Sequence, residues 1–478
     1  MNLKRGALTL MAGWSAILVA GYLLNMVLAR WFSTGAFGNY GFVMAVLMWF
    51  EIFVINGMPV AVQKFVSARR EQAHSILWTA ARVQLALVTV LTASLMISAP
   101  VFAAAFRDAK LTPYFRLAFL NLPFYAFFHL FVSFQNGLRR FGKQAACYAF
   151  YGWAKLGCSL GLCALHRSLE AALIGNAAGS AISLVLAYSL LEEREIRPSA
   201  QTGELVRFAA PVLLYSLMAQ LLMSIDFWCV KYFLGETASG YYNTAGILAR
   251  IPFYLLAGLS AVMLPTISAG IAEGSIERVR NTIRDATRFS LMLLVPVSVL
   301  LTVYSRETAA LLFESRLAPS GEAMEYLVWA FSAVAMMTLF LTLVNADGRP
   351  QKSFRIAGLA VAVDLALNLA LVPRMGIRGA AIASLFACGT GALLGGADVL
   401  KKFRAVPSAA SAWKLALASA ALLLCVLLIR PAGAGFVWTA MLGSAAYGAV
   451  LMAFGEIRRR DLALFSLKSG TPAPPGPE

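Results

Sequence analysis

The chain has 478 residues, of which 60% are hydrophobic and only 13% are charged, and its mean hydropathy is +0.73. A soluble globular domain does not need that much apolar surface, so the composition excludes this class and predicts an all-α polytopic membrane protein. The formal net charge of +17 follows mostly from membrane topology, as shown below. It is therefore poor evidence for a nucleic-acid partner, and we expect none.

Apolar segments of membrane-spanning length follow one another along the chain. A helix needs roughly 20 apolar residues to cross the hydrocarbon core, and charged residues or Gly/Pro breaks delimit fourteen such segments. The predicted spans are residues 7–32, 37–63, 75–105, 112–138, 144–166, 169–191, 206–233, 239–268, 286–305, 322–345, 353–372, 377–399, 411–430 and 434–455. The first run is longer than the core of a secretory signal peptide, so it is predicted to be a span.

The cations are unevenly divided between the two sides of this arrangement. Suppose that the termini and every loop after an even-numbered span share one side. When a cation near a span end is counted with the side that it adjoins, that side carries 26 of the 40 Lys and Arg residues, the opposite side carries 11, and three lie deeper inside spans. The positive-inside rule therefore predicts that both termini are cytoplasmic.

The two halves of the chain resemble each other. Gly38-Asn39-Tyr40 after span 1 corresponds to Gly240-Tyr241-Tyr242 after span 7, and Asn136-Gly137 after span 4 corresponds to Asn345-Ala346 after span 10. The matches occur in the same order along the chain, with offsets between 201 and 209 residues. The sequence therefore predicts an internal repeat of six spans.

Six spans is an even number, so the two copies have the same orientation in the membrane. The predicted architecture is two six-helix lobes related by an axis along the membrane normal, the parallel arrangement of alternating-access transporters. We expect an N-lobe at residues 1–191, a charged cytoplasmic linker at 192–204 and a C-lobe at 205–400. Residues 401–465 add spans 13 and 14, and residues 466–478 form a Pro/Gly-rich tail that is predicted to be disordered.

A short amphipathic segment follows span 8. Ile276, Val279 and Ile283 lie at helical spacing among acidic and basic residues. This pattern predicts a helix that lies on the inner membrane surface.

The sequence contains no pattern typical of a cofactor site. All six cysteines fall in apolar segments without a CxxC pair, so packing is their expected role, and we find no metal-ligand cluster or phosphate-binding glycine loop. A membrane polymerase or ligase would usually carry catalytic residues on a long outer loop, whereas the longest outer loop here, residues 306–321, is short and lacks histidine. We therefore expect a non-enzymatic protein with neither cofactor nor metal.

Several motifs resemble those of the polysaccharide transporter, or lipid-linked oligosaccharide flippase, family. The motifs are Gly38-x-Tyr40, Gly57-x-Pro59, Asn136-Gly137-x-Arg139, Asp347-Gly348-Arg349, Asn368, Pro373-x-x-Gly376 and Gly379-Ala380-Ala381. That family belongs to the MOP superfamily, together with MATE drug antiporters and lipid II flippases. The resemblance covers roughly residues 1–400.

The resemblance implies a MATE-like fold and a flippase of the bacterial cytoplasmic (inner) membrane. Its substrate would be a polyprenyl-pyrophosphate-linked oligosaccharide of the O-antigen or exopolysaccharide type, moved from the inner to the outer leaflet. The headgroup would cross through a cavity between the lobes while the lipid tail stays in the bilayer. Membrane lipids, H⁺ or Na⁺ coupling and polysaccharide polymerase or export proteins are the implied partners.

Moving a pyrophosphate through a region of low dielectric requires fixed positive charge and many hydrogen-bond donors. The candidate cations are Arg30 at the outer end of span 1, Arg82 near the cytoplasmic end of span 3, Lys155 near the middle of span 5 and Arg250 in span 8. The competing interpretation is structural, with Arg250 paired to Asp226 and Lys155 paired to Glu51 or another acid. Arg82 is also close enough to the span end to snorkel.

Three acids lie inside spans: Glu51 in span 2, Asp226 in span 7 and Asp364 in span 11. Ionisable residues in the membrane are costly and usually functional, so these three are candidates for coupling transport to protons or Na⁺. Pairing between helices is the alternative.

Two other transport functions use the same scaffold. A MATE-type multidrug or cation antiporter would be expected to carry an acid in the first span, and residues 7–29 contain none. A lipid II flippase moves a substrate of the same chemical class, so the sequence separates it poorly from an oligosaccharide flippase.

Overall fold

The computed structural model describes residues 3–191, 202–405, 408–429 and 435–456, and helices are the only regular secondary structure in those ranges. The predicted tail at 466–478 lies outside the described residues. So does the predicted linker at 192–204, except for its last three residues, which begin a helix.

Eight α-helices fold from residues 3–191, and we call them the N-terminal set. They are α1 (Leu3–Trp31), α2 (Thr34–Ile55), α3 (Met58–Ala68), α4 (Ala73–Ala105), α5 (Leu111–Phe119), α6 (Asn121–Gly137), α7 (Phe141–Leu165) and α8 (Leu169–Ser189). The hydroxyls of Ser33 and Ser168 cap α2 and α8, since each accepts a hydrogen bond from a backbone N–H of the first turn at 3.2 Å.

The helices after residue 202 form the C-terminal set, α9 to α15, and a final pair. They are α9 (Thr202–Leu222), α10 (Ile225–Ala249), α11 (Ile251–Ala272), α12 (Ile276–Val303), α13 (Ser305–Leu312), α14 (Gly321–Ala346), α15 (Pro350–Phe403), α16 (Ala409–Leu428) and α17 (Phe436–Ala453). The final pair packs on α12, where Tyr447 donates a hydrogen bond to the Met292 carbonyl at 2.9 Å.

The predicted surface helix after span 8 is not a separate element. Residues 276–303 form the single helix α12. Val279 and Ile283 are buried with Ile267 and Leu343 in an apolar cluster of the C-terminal set. The apolar stripe therefore packs against protein instead of lying in the membrane interface, because α11 and α14 extend far enough to cover it.

Helix α10 reverses direction at Gly235. The Tyr242 hydroxyl donates a hydrogen bond to the Asp226 carboxylate at 2.6 Å. A straight helix would place residues sixteen apart at a distance of about 24 Å. Gly235 has φ +80°, a left-handed conformation that glycine adopts without strain. Two antiparallel legs of α10 thus lie side by side.

Helix α15 reverses in the same way at Gly376, where φ is +63°. Arg349 at its beginning forms an ion pair with Asp398 near its end at 2.8 Å. The 54 residues of α15 are therefore a hairpin of two long legs. Both reversals fall in loops that the span assignment places on the outer side.

Within the described residues, ten helices are long and apolar enough to cross a membrane, or eleven if the bent pair Ser216–Leu222 and Ile225–Leu256 is one span. In both totals α15 is counted as one helix, although it has two long legs. The protein is a multi-pass, all-helical membrane protein.

The N-terminal and C-terminal sets meet closely where α2 crosses α10. A Cβ atom added to Gly38 would lie 2.2 Å from the Glu236 carbonyl oxygen, and one added to Gly240 would lie 2.1 Å from the Thr34 carbonyl oxygen. Only glycine permits this approach of the two backbones, as in other membrane helix pairs with small residues at the interface.

Candidate functional site

A central cavity of about 180 Å³ lies between the two helix sets. Helices α1, α2 and α7 of the N-terminal set line one side, and α9, α10 and α14 line the other. Its charged and amide side chains are Asn25, Lys155, Gln220, Asp226, Asn243 and Arg250. Three of the seven charged residues selected from the sequence therefore line one cavity.

Lys155 and Arg250 approach this cavity from opposite helix sets. Lys155 lies on α7, and Arg250 lies at the junction of α10 and α11, with its guanidinium 5.3 Å from the ring centre of Phe331. Neither cation has a carboxylate within 4.0 Å among the described residues. The Asp226 and Glu51 carboxylates instead accept hydrogen bonds from neutral side chains. Neither Arg250 with Asp226 nor Lys155 with Glu51 forms a direct ion pair, and the structural alternative is then a longer-range attraction such as that between Lys155 and Glu51.

Arg30 and Arg82 lie elsewhere. Arg30 is exposed at the end of α1, and its Nε donates a hydrogen bond to the Phe313 carbonyl at 3.0 Å. Arg82 is exposed on α4 and is not among the residues that line the cavity. The structure thus separates the four predicted cations into two at the cavity and two outside it.

Asp226 and Asp364 form a buried acidic pair in the C-terminal set. Asp226 accepts hydrogen bonds from Tyr242 at 2.6 Å and from Ser384 at 3.0 Å. Asp364 accepts one from Asn368 at 3.0 Å, while its second oxygen has no hydrogen-bond partner among the described residues. The two carboxylates are close enough to interact electrostatically.

This acidic pair has the chemistry of a site for a proton or a small cation. Two buried negative charges without a counter-ion are costly, and protonation or cation binding removes that cost. The hydroxyl of Ser384 and the unpartnered Oδ1 of Asn368 supply further oxygen atoms. Because Asp226 also lines the central cavity, the acidic pair and the cavity share a wall.

Glu51 does not belong to this pair. It lies on α2 in the N-terminal set, where it is buried and accepts a hydrogen bond from Asn121 of α6 at 2.9 Å. It interacts electrostatically with Lys155. The three predicted acids therefore occupy two separate places.

A buried lysine that the sequence did not single out joins the two sets. Lys231 of α10 is only 2% exposed, and its Nζ lies 2.8 Å from the Asp108 carboxylate and 2.6 Å from the Asn39 side-chain oxygen. Asn39 in turn donates to Glu236 at 2.9 Å. We call these four residues the Lys231 contact. Lys231 lies near the end of a predicted span, and its burial could not be predicted from that position.

The opposite end of the interface is held by side chains at the surface. Arg69 forms a bidentate ion pair with Glu204 at 2.8 and 2.9 Å, and both side chains are about 40% exposed. The Lys64 ammonium lies 3.7 Å from the ring centre of Phe208. We call these four residues the Arg69 contact. The hydrogen bond from Arg69 lowers the pKa of the Glu204 carboxyl.

The cavity is narrow in this state, since contacts hold the two sets together at both ends. Its volume of about 180 Å³ is smaller than the about 300–1,000 Å³ that is typical of sites for drug-sized ligands. A large headgroup would enter only if one of the two contacts opened.

A family model described as "Polysaccharide biosynthesis protein" matches residues 27–321. The chain is 27% identical over 256 residues to a probable flippase, AglR, of Haloferax volcanii, covering 52% of this chain and 53% of that protein. It is 25% identical over 163 residues to an uncharacterized membrane protein, MJ1068, of Methanocaldococcus jannaschii, covering 34% and 32%. The chain thus spans about a third to a half of the curated relatives that it matches.

Solved structures share the fold. The lipid II flippase MurJ in an inward closed conformation aligns with a TM-score of 0.79 and 15% identity, covering 95% of this chain and 99% of that one. An inward-facing MATE-family transporter of the MOP superfamily aligns with a TM-score of 0.69 and 14% identity, covering 83% and 99%. The chain therefore has a MurJ/MATE-like fold.

Proposed function

Because this chain belongs to the polysaccharide biosynthesis protein family, we propose that it is a flippase for polyprenyl-pyrophosphate-linked oligosaccharides. It moves the headgroup from the inner to the outer leaflet by alternating access and catalyses no reaction. The named flippase relative and the MurJ/MATE-like fold support this proposal. The observation that carries it is the central cavity, which Lys155 and Arg250 line from different helix sets, neither with a carboxylate within 4.0 Å among the described residues.

Lys155 and Arg250 bind the pyrophosphate in this proposal. The guanidinium of Arg250 presents a planar fork for two phosphate oxygens, and the ammonium of Lys155 supplies a point charge. Asn25, Gln220 and Asn243 offer amide groups for sugar hydroxyls. Because the cations belong to different sets, a bound anion pulls the sets together, and its release into the outer leaflet lets them separate.

We further propose fourteen spans arranged as two lobes, residues 1–191 and 205–400, with spans 13 and 14 in residues 401–465. The ten candidate spans, the second leg of α15, two spans from the α9–α11 region divided at Gly235, and α7 (Phe141–Leu165) would together make fourteen. The lobes move as a rocker switch, and both termini lie in the cytoplasm of a bacterial inner membrane. The Lys231 contact is then the outer closure and the Arg69 contact is the inner closure.

Transport in this scheme is coupled to H⁺ or Na⁺ through Asp226 and Asp364, with Glu51 as a second titratable group in the N-lobe. The shared wall between the acidic pair and the cavity supports this assignment. Polysaccharide polymerase or export proteins would receive the flipped unit, as the family membership suggests.

The test is headgroup translocation in proteoliposomes that contain the purified protein and a fluorescent polyprenyl-pyrophosphate oligosaccharide. The wild type should move the label to the opposite leaflet, and Lys155→Glu and Arg250→Glu should each abolish this. Arg82→Gln is the matched control, since it removes a span cation outside the cavity and should retain transport. Full activity of both charge reversals would overturn the cation assignment.

The same vesicles separate the competing functions. Translocation of fluorescent lipid II in preference to the oligosaccharide lipid would favour a lipid II flippase. Efflux of cationic dyes without lipid translocation would favour a MATE-type antiporter.

A further inference from the structure

A second cavity, of about 670 Å³, opens where α15 begins. It lies away from the central cavity, on the side of the membrane that carries most of the Lys and Arg residues. Its lining combines cations of the first turns of α15 with apolar side chains of both legs: Arg349, Lys352, Arg355, Ile356, Leu359 and Leu394. We call it the α15 cleft.

The cations at the rim of the α15 cleft differ in their ion-pair partners. Asp398 pairs with both Arg349 and Lys352, and Asp347 pairs with Arg349 and with Lys402. These pairs fix Arg349 and Lys352 at the mouth of the cleft.

Arg355 is the cation left over. It is exposed and has no ion pair or hydrogen bond within the described part of the chain. Four cations thus stand against two carboxylates, and the rim keeps a net positive charge.

The floor of the cleft is apolar and faces the lipid. Leu359 lies one helical turn beyond Arg355 and is 48% exposed, and Leu394 on the opposite leg is 42% exposed. Phe354 and Leu393 beside the cleft are exposed as well. In a membrane-spanning hairpin, such side chains contact acyl chains. A ligand of this cleft must therefore be anionic at one end and apolar at the other.

We propose that the α15 cleft binds an anionic phospholipid of the surrounding leaflet. Its phosphate lies between Arg355, Lys352 and Arg349, and an acyl chain runs along Leu359 and Leu394. The positive end of the α15 helix dipole adds to the attraction. A soluble phosphate compound would use the rim but would gain nothing from the apolar floor. This site is independent of the transported substrate and of the central cavity.

Native mass spectrometry of the full-length protein in detergent tests the site. The probes are phosphatidylglycerol and phosphatidylcholine with the same acyl chains. The wild type should retain phosphatidylglycerol more tightly than phosphatidylcholine. Arg355→Gln should weaken phosphatidylglycerol binding roughly fivefold, as expected for the loss of one cation near a membrane surface, whereas Arg355→Lys should keep most of it.

Arg374→Gln is the matched control. Arg374 lies at the other end of the same leg, is exposed, and hydrogen-bonds only to the Ala370 carbonyl of its own helix. It should bind phosphatidylglycerol like the wild type. Equal binding by Arg355→Gln and the wild type, or no preference for the anionic lipid, would overturn the proposal. Displacement of phosphatidylglycerol by millimolar glycerol phosphate would also overturn it, because that result assigns the rim to a soluble phosphate.

Discussion

The two helix sets are held together at the Lys231 contact and at the Arg69 contact, and these contacts differ in kind. At the first, a lysine is buried against an aspartate and an asparagine, and the backbones of α2 and α10 touch through glycines. At the second, an exposed arginine reaches an exposed glutamate. The difference shows that one end of the interface depends on close packing, whereas the other depends on surface charges that salt screens.

In an alternating-access cycle the two ends must open in turn. Removing one partner of a buried ion pair costs much stability, whereas removing one partner of an exposed pair costs little. We therefore expect the Arg69 contact to open more readily than the Lys231 contact. Opening can be followed with a cysteine introduced for the cavity residue Met44 in an otherwise cysteine-free protein, labelled by an impermeant maleimide from either side of the membrane.

The largest effect should follow from Lys231→Met. The change leaves Asp108 and Asn39 without their cation, and breaking a buried pair in this way costs about 3–5 kcal/mol. Labelling of Met44→Cys from the outer side should rise strongly, and transport should fall.

The double variant Lys231→Met with Asp108→Asn is the control for this prediction. It removes the unpaired charge as well as the lysine, so outer labelling should return part of the way towards the wild-type rate. Wild-type labelling of Lys231→Met alone would show that the buried pair does not close the outer side.

Gly38→Ala should have the next largest effect. Its Cβ atom would lie 2.2 Å from the Glu236 carbonyl oxygen, so the backbones of α2 and α10 must separate. Overpacking of this kind costs about 1–3 kcal/mol, and outer labelling should increase.

Gly389→Ala is the matched control for Gly38→Ala, since an added Cβ atom at Gly389 meets nothing within 4 Å. It should label and transport like the wild type. Identical labelling and transport by Gly38→Ala and Gly389→Ala would show that the glycine contact is not part of the outer closure.

Glu204→Gln should have the smallest effect, because it removes only an exposed ion pair. At low salt, labelling from the inner side should be modestly faster than in the wild type. This difference should disappear at high salt, which screens the ion pair of the wild type as well. The hydrogen bond from Arg69 lowers the pKa of Glu204, so the contact is intact above the ordinary pKa of a glutamate, about 4.3, and is lost as the pH falls through the lowered value.

Inner labelling of a protein with Glu204 should therefore be constant from pH 8 down to about 5 and should rise only in stronger acid. The Glu204→Gln variant should lack this rise. A rise of the same size in both would assign the pH response to other groups.

The membrane class and the family were confirmed because both depend on local sequence. Apolar runs of sufficient length must be helices in a bilayer, and the motifs around Gly38 and Gly376 lie at turns and close contacts that need particular residues. The prediction of a separate surface helix around Ile276, Val279 and Ile283 was wrong, because an amphipathic stripe fits a protein neighbour as well as a membrane surface.

Less of the candidate site than of the membrane class and family could be predicted from the sequence. Lys155, Arg250 and Asp226 were selected because they are ionisable residues inside predicted spans, and these three line one cavity. The same criterion also selected Arg82, because position along a helix does not tell which face a side chain occupies when every face is apolar. Lys231 was missed for the opposite reason, since a lysine at a span end is usually solvated.

The sequence by itself determined that this is a helical membrane protein, since hydrophobic length is a property of contiguous residues. The tertiary structure decided which charges meet. Asp226 accepts a hydrogen bond from Ser384 across 158 positions of the chain, and Lys231 reaches Asp108 across 123. Such pairs arise from the rotation and crossing of packed helices, which depend on contacts between distant segments and not on the order of residues within one span.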